Sequence, residues 1–200
     1  MNIILATRNP SKVAQIKEIF RGFPLPVLSL SEAGIDGEAT ENGETLEDNA
    51  LKKALYAYER TNTPSWIVAD DTGIFINALD GAPGVHSARW AGENATTVEI
   101  THHTLKQLEG KEDRSATFRT VVAIVAPDAD YQFRDGEIEG TILEAPRAKP
   151  QPKMPYSPIF VPKGETLAWA QMSIEYENRI SHRGIAFRKA CEFIEEQLQK

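Results

Sequence analysis

Asp70 and Asp71 are adjacent carboxylates that close the apolar run Ser65-Trp66-Ile67-Val68-Ala69, and Thr72 and Gly73 follow them. Downstream, Gly81, Gly84, Arg89 and Gly92 make a glycine-rich segment that carries a cation. Paired carboxylates beside pliable backbone and a guanidinium suit chemistry on a metal-bound phosphate. The apolar run does not alternate, so it is expected to be a short strand buried on both faces, with Asp70 and Asp71 at its end. In an open α/β sheet, ligands collect outside the carboxyl ends of strands. Successive residues of an extended chain point to opposite sides, which gives the two carboxylates different tasks. One would bind Mg²⁺ or activate water while the other braces the loop. Asp, Thr and Gly are also common turn formers, and a plain turn is the competing reading.

The elements that position a phosphate are sought first at the N-terminus. Asn2 to Ala6 is predicted to be a strand, Thr7-Arg8-Asn9-Pro10-Ser11-Lys12 a polar loop, and Val13 to Phe20 a helix with Ser11 as its N-cap. A strand, loop and helix in this order aim free backbone N–H groups and the positive helix end at the loop, which favours an anion. Thr7, Asn9, Ser11 and Lys12 would add donors. The glycines of a Walker loop are absent, and a solvated loop with a surface lysine is the alternative.

A third segment runs from Glu38 to Ala54. Thr45 with Asp48 resembles a capping box, and Leu46, Ala50, Leu51, Ala54 and Leu55 make a helical stripe. A helix therefore starts near Leu46 and leaves Glu38, Glu41 and Glu44 in the loop before it. Mg²⁺ takes few protein carboxylates and keeps waters, so one of these glutamates with Asp71 would suffice. Acidic residues in a surface loop are otherwise simply solvated.

Taken in order, Thr7 to Lys12, Glu41 to Ala50, Asp70 to Gly73, Gly81-Ala82-Pro83-Gly84, Ser87 to Gly92 and Ser181-His182-Arg183-Gly184 resemble the inosine/xanthosine triphosphate pyrophosphatases. The resemblance spans residues 2 to 196. It implies an α/β fold with an elongated mixed central sheet flanked by helices, in two lobes with the active-site cleft between them. It also implies hydrolysis of non-standard purine nucleoside triphosphates (ITP, dITP, XTP) to the monophosphate and pyrophosphate, with Mg²⁺ and commonly as a homodimer. By that resemblance Thr7, Arg8, Asn9, Pro10, Ser11 and Lys12 hold the triphosphate, and Asp71, with Asp70 and Lys12, is catalytic. Asp71 and Glu41 hold the metal and Thr72 touches substrate. His182 and Arg183 lie near the base, just before a final helix with the stripe Ile185, Ala186, Ala190, Ile194 and Leu198.

The chain departs from the family pattern at the base-reading end. Where the family reads Gly, two variable residues, then Gly-Phe-Gly-Tyr-Asp-Pro, this chain has Ala148-Lys149-Pro150-Gln151-Pro152-Lys153-Met154-Pro155-Tyr156-Ser157-Pro158, two residues longer. Met154 stands for the stacking phenylalanine and lacks a flat π face, Pro155 replaces a glycine, and Ser157 replaces the aspartate. Tyr156 is retained. Glu177 takes the place of a substrate-contacting lysine, reversing local charge, with Arg179 and Lys153 the cations available to compensate. Thr40 replaces the first of two glutamates. These departures leave two alternatives to the family activity: an enzyme of shifted nucleotide specificity, or a nucleotide-binding protein without turnover.

A chain of 200 residues with net charge −7 is expected to fold as one domain, 1–200, acting on a small nucleotide. The acidic balance argues against nucleic acid as partner. Apolar runs are too short for a membrane span and the N-terminus is unlike a signal peptide, so no membrane is expected. The single cysteine, Cys191, has no internal disulfide partner and fits a reducing cytoplasm as a core residue of the final helix. Elsewhere Thr96 to Leu108 is predicted helical, with adjacent His102 and His103 off any one face, and Ala116 to Val125 a strand. Two further strands are expected around a turn at Asp135-Gly136, and another at Ile159 to Val161. Pro146 to Pro158 is read as an active-site loop.

Overall fold

The computed structural model describes residues 1–199; Lys200, the last residue of the expected domain, lies outside them. Seven strands form one mixed sheet: β1 (Asn2–Leu5), β2 (Val27–Ser29), β3 (Ser65–Ile76), β4 (Pro83–Gly84), β5 (Ser115–Val125), β6 (Tyr131–Ile142) and β7 (Phe160–Pro162). Their spatial order is β2-β1-β3-β5-β6-β7, with β4 beside β3. β1 runs parallel to β2 and β3; all other pairings are antiparallel. The helices are α1 (Pro10–Ile19), α2 (Leu46–Tyr58), α3 (Thr97–Gln107), α4 (Ile174–Ile180) and α5 (His182–Leu198).

Alternation along β3 divides the interior. Ile67 and Ala69 join Ile4, Val121 and Ala123 against Leu46, Ala50, Ala54 and Ala57 of α2. Trp66 and Val68 face the other way, packing with Ile3, Leu5 and Val122 against Ile16 of α1 and Ala186, Phe187, Ala190 and Ile194 of α5. A third cluster fills a second lobe, where Ile74, Ile76 and Phe118 meet Ile100, Tyr156, Phe160 and Trp169. The predicted mixed sheet between helices is therefore present, with the long strands β3 and β5 shared by both lobes.

Several boundaries differ from expectation. β3 does not end at Asp70 but continues to Ile76, because β5 pairs with it from Ile67↔Val125 to Ile76↔Ala116. What ends near Asp70 is its parallel neighbour β1, whose last partner is Leu5↔Val68. The crevice thus opens at the carboxyl end of β1, as the rule for α/β sheets requires. Asp135 and Gly136 make no turn: they lie within β6, and a Cβ at Gly136 would strike the backbone of His182 and Ala186. Glycine is needed there for close helix approach. α1 begins at Pro10 rather than Val13, since proline suits the first helical turn. Its cap is Asn9, not Ser11. His182 and Arg183 form the first turn of α5, capped by Ser181, instead of preceding it. Leu198 on the expected stripe is 39% exposed, and Phe187 fills the core instead.

Candidate functional site

A cavity of about 330 Å³ lies between the lobes. Its lining includes Thr7, Arg8, Asn9, Lys12, Glu41, Lys53, Asp71 and Thr72 together with Phe118, Met154, Tyr156, Trp169, Glu177 and His182. Such a volume suits a ligand of small-molecule size.

Asp70 and Asp71 point to opposite faces of β3, as their adjacency requires. Asp70 is 1% exposed and faces α1 and α5, with Oδ2 2.8 Å from Lys12 Nζ and 3.5 Å from Arg183 Nε. Thr72 donates its hydroxyl to the same oxygen at 3.2 Å. Burial alone would push this carboxyl up, but Lys12 and Arg183 outweigh it and hold the group well below the usual carboxylate range. Burial also lowers the Lys12 ammonium, an effect that Asp70 partly offsets.

Asp71 faces α2. Lys53 Nζ lies 2.9 Å from Oδ1, and Asn49 donates through Nδ2 to Oδ2 at 3.2 Å. Here burial prevails over the nearby lysines, and the carboxyl is raised above its ordinary value. Lys53 also lies 3.5 Å from Glu41. Burial pulls the Lys53 ammonium down, yet Asp71, Glu41 and Asp70 together hold it above normal. The expected metal pair Asp71 and Glu41 is thus brought together around one cation. No group of three or more His, Cys, Asp or Glu side chains converges as a metal cage among the described residues. Glu38 instead sits 4.0 Å from Arg8.

The start of α1 is more self-contained than its sequence suggests. Asn9 Oδ1 accepts from the backbone N–H of Ser11 and Lys12, and its Nδ2 donates to the Lys153 carbonyl at 3.4 Å. Ser11 donates to the Pro152 carbonyl, and Arg8 to the carbonyls of Ile35 and Gly37. Pro10 and Ser11 do not line the cavity; Lys12 does. Arg89, the cation of the glycine-rich segment, turns to His86 and Glu93 outside the cavity, where Ser87 and Ala88 line it instead.

The loop from Pro146 to Pro158 does form cavity wall, through Lys153 to Ser157. Ser157 Oγ is occupied within the loop, accepting from Gln151 N at 3.0 Å and donating to the Met154 carbonyl at 2.8 Å. Tyr156 is buried and its hydroxyl donates to the Ser87 carbonyl at 2.9 Å. Burial raises its pKa far above the ordinary phenol. His182 stacks on Phe118 with ring centroids 4.6 Å apart, and burial, reinforced by Arg183, keeps it neutral at pH 7. Arg183 donates to Gln15 Oε1, whose amide donates to Glu177 Oε1, each at 2.7 Å. Burial raises the Glu177 carboxyl against the pull of Arg183. Lys153 lines the cavity beside it; Arg179 instead lies over the Tyr176 ring.

Sequence reasoning missed Asn49 and Lys53, Gln15, Phe118 and Trp169. Asn49 and Lys53 carried a signal: four residues apart, they share the α2 face that also buries Ala50 and Ala54. Gln15, three residues after Lys12, carried a similar one. Trp169, in the short helical turn 169–171, carried none.

A cleft lined by Asp71, Lys12 and Lys53, with Asp70 buried behind Lys12, and by the rings of Phe118, Tyr156 and Trp169 defines an α/β protein built to bind an anionic ligand that carries a flat group. The comparisons agree with that class and narrow it. Residues 3–193 match the Ham1 family. A dITP/XTP pyrophosphatase of Thermoanaerobacter sp. (strain X514) is 40% identical over the whole of both chains. Among solved structures, a HAM1 protein from Coxiella burnetii superposes with TM-score 0.84 at 34% identity, covering 98% of this chain and 99% of its own. The Staphylococcus aureus Ham1 protein gives 0.82 at 33% identity, covering 98% and 100%. The chain belongs to the Ham1 family.

Proposed function

We propose that this chain is a nucleoside triphosphate pyrophosphohydrolase that cleaves non-standard purine nucleotides, the dITP and XTP class, to the monophosphate and pyrophosphate. One observation carries the reading: Asp71 lines the cavity 2.9 Å from Lys53, Asp70 buried behind it holds the lining residue Lys12 at 2.8 Å, and the rings of Phe118, Tyr156 and Trp169 line the same cavity. Full-length relatives bearing the name dITP/XTP pyrophosphatase support it.

Asp71 acts as the base that orients or deprotonates water for attack on the α-phosphate. It lines the cavity, and Lys53 and Asn49 fix its two oxygens. Lys12 and Asn9 hold the phosphates, and Asp70 keeps Lys12 and Arg183 in place. Asp71 and Glu41 are the carboxylates that would hold Mg²⁺; both already approach one cation, and hard oxygen donors fit the ion. When bound, Mg²⁺ neutralises charge on the phosphate oxygens. Lys53, which pairs with both carboxylates, would then be free to meet the phosphates. Thr72, Met154, Tyr156, Ser157, Glu177, His182 and Arg183 belong to the nucleotide-facing wall or its direct support. The proposal extends to a single domain acting as a homodimer in a reducing cytoplasm, without nucleic-acid or membrane partners. Cys191 supports it as a free thiol pushed up to about 12 by burial. No helix of the described residues is long and apolar enough to cross a membrane.

The test is pyrophosphate release with Mg²⁺ across ITP, dITP, XTP, the four standard triphosphates and modified pyrimidine triphosphates. Preference for ITP, dITP or XTP is expected. Preference for another triphosphate would make the 148–158 loop a specificity switch, and binding without release would overturn the hydrolase reading.

A further inference from the structure

Among the residues that line the cavity, three buried polar atoms have no partner: Glu177 Oε2, Trp169 Nε1 and His182 Nδ1. All three residues line the cavity. A buried polar atom left unpaired is destabilising, so three among the residues of one cavity mark where a ligand's polar atoms belong. Their chemistry is partly fixed: an indole N–H only donates and a carboxylate oxygen only accepts.

Glu177 is the most constrained of the three. It is 3% exposed, and its Oε1 accepts from Gln15 Nε2 at 2.7 Å while Gln15 Oε1 accepts from Arg183. That buried chain sets the orientation of the carboxylate and decides which oxygen stays free. Gln151 lies beside the carboxylate and helps hold its charge, yet leaves Oε2 unsatisfied.

We infer that Glu177 Oε2 is the acceptor for a ring N–H of the nucleobase, so that the cavity selects purines protonated at N1 over those with a bare lone pair there. The inference rests on the nucleotide reading above. Hypoxanthine and xanthine carry N1–H beside the C6 carbonyl, whereas adenine has a lone pair at N1 that would face the carboxylate oxygen. Guanine also carries N1–H, so this contact accepts it. A site built to bond a donor rejects the analogue lacking it far more strongly than an apolar pocket rejects a shape difference.

Calorimetric titration of the full chain with the α,β-imido analogues of ITP and ATP tests this directly. Wild type is expected to bind the inosine analogue about 10²-fold more tightly than the adenosine one. In Glu177→Gln the amide oxygen keeps the bond from Gln15 and the NH₂ turns into the cavity, so the ratio should fall at least tenfold. An unchanged ratio in folded protein overturns the inference. Should that variant not fold, wild type is titrated with the 1-methylinosine analogue, which keeps the carbonyl and loses N1–H. A tenfold or greater loss supports the contact, and affinity within threefold of the inosine analogue refutes it. Pyrophosphate release is measured separately: the expected ratio without release removes the hydrolase reading and leaves Glu177 as the base reader, and release with an unchanged ratio does the reverse. Failure of both nucleotides to bind removes both.

Discussion

Asp70 and Asp71 are the same residue type one position apart, yet the two faces of β3 treat them oppositely. On the α1 and α5 side, Asp70 meets two cations, Lys12 and Arg183, and stays ionised although it is almost fully buried. On the α2 side, Asp71 meets Lys53 and an amide, and burial is left free to raise its pKa. The number of cations each carboxylate faces, more than the depth of its burial, separates the two. One face makes an electrostatic anchor and the other a group able to take a proton, the pattern by which neighbouring carboxylates divide acid–base work.

The largest predicted effect breaks the comparison on the Asp71 face. Asp71→Asn should lower kcat by about 10³-fold, within the range of a lost general base. Its melting temperature should move by no more than about 3 °C, because burial already works against the Asp71 charge and Lys53 keeps Glu41 as a partner. Wild-type turnover in this variant would remove Asp71 from the mechanism. In the metal-free protein the Asp71 carboxyl should titrate above the usual carboxylate range, since burial raises it, as its carboxyl-carbon NMR shift would show. Lys53→Met should move that titration to still higher pH, because Lys53 opposes the rise. A titration that stays put, or moves down, would deny the coupling.

Asp70→Asn should show the converse, with stability as the main casualty. It leaves Lys12 and Arg183 without their carboxylate, at a cost of about 3 kcal/mol, or about 6–12 °C in thermal unfolding. The pH dependence follows from the depressed pKa. The contribution of Asp70 is fully present above the unfolded carboxylate value of about 3.9 and is lost as pH falls through the lower native value. Wild type minus variant stability should therefore be flat above about pH 5 and shrink only below about pH 4. A difference that shrinks between pH 5 and 7 would mean that Asp70 is not held low.

How far this division was legible depends on the range of the interactions. Opposite placement of Asp70 and Asp71 follows from strand alternation alone, and the Thr45 cap of α2 from four adjacent residues. The Asn9 cap was also readable, since Pro10 belongs in a first helical turn. The run of β3 past Asp71 was not, because its continuation depends on β5 residues some forty positions away. Gly136 misled for the same reason: it is a turn residue by composition, and only the approach of α5 explains it inside a strand. Of the site, the motif residues Lys12, Asp71 and His182 reach the cavity, whereas Pro10 and Ser11 do not line it. Lys53 and Gln15 matter through tertiary pairing, and no spacing rule names their partners.

The smallest predicted effect sharpens a second contrast, between the two altered positions of the base-reading end. Ser157 and Glu177 both depart from the family pattern, but Ser157 has its hydroxyl committed to Gln151 N and the Met154 carbonyl, whereas Glu177 keeps one oxygen free. Ser157→Ala should therefore cost about 1 kcal/mol of stability, near 2–4 °C, and alter kcat/KM for ITP less than threefold with no change in the ratio to ATP. A shift in that ratio would show that the hydroxyl leaves its loop partners to meet the base. Retained selectivity with a small loss of stability would place the hydroxyl in holding the loop, and leave selection at N1 to the carboxylate behind it.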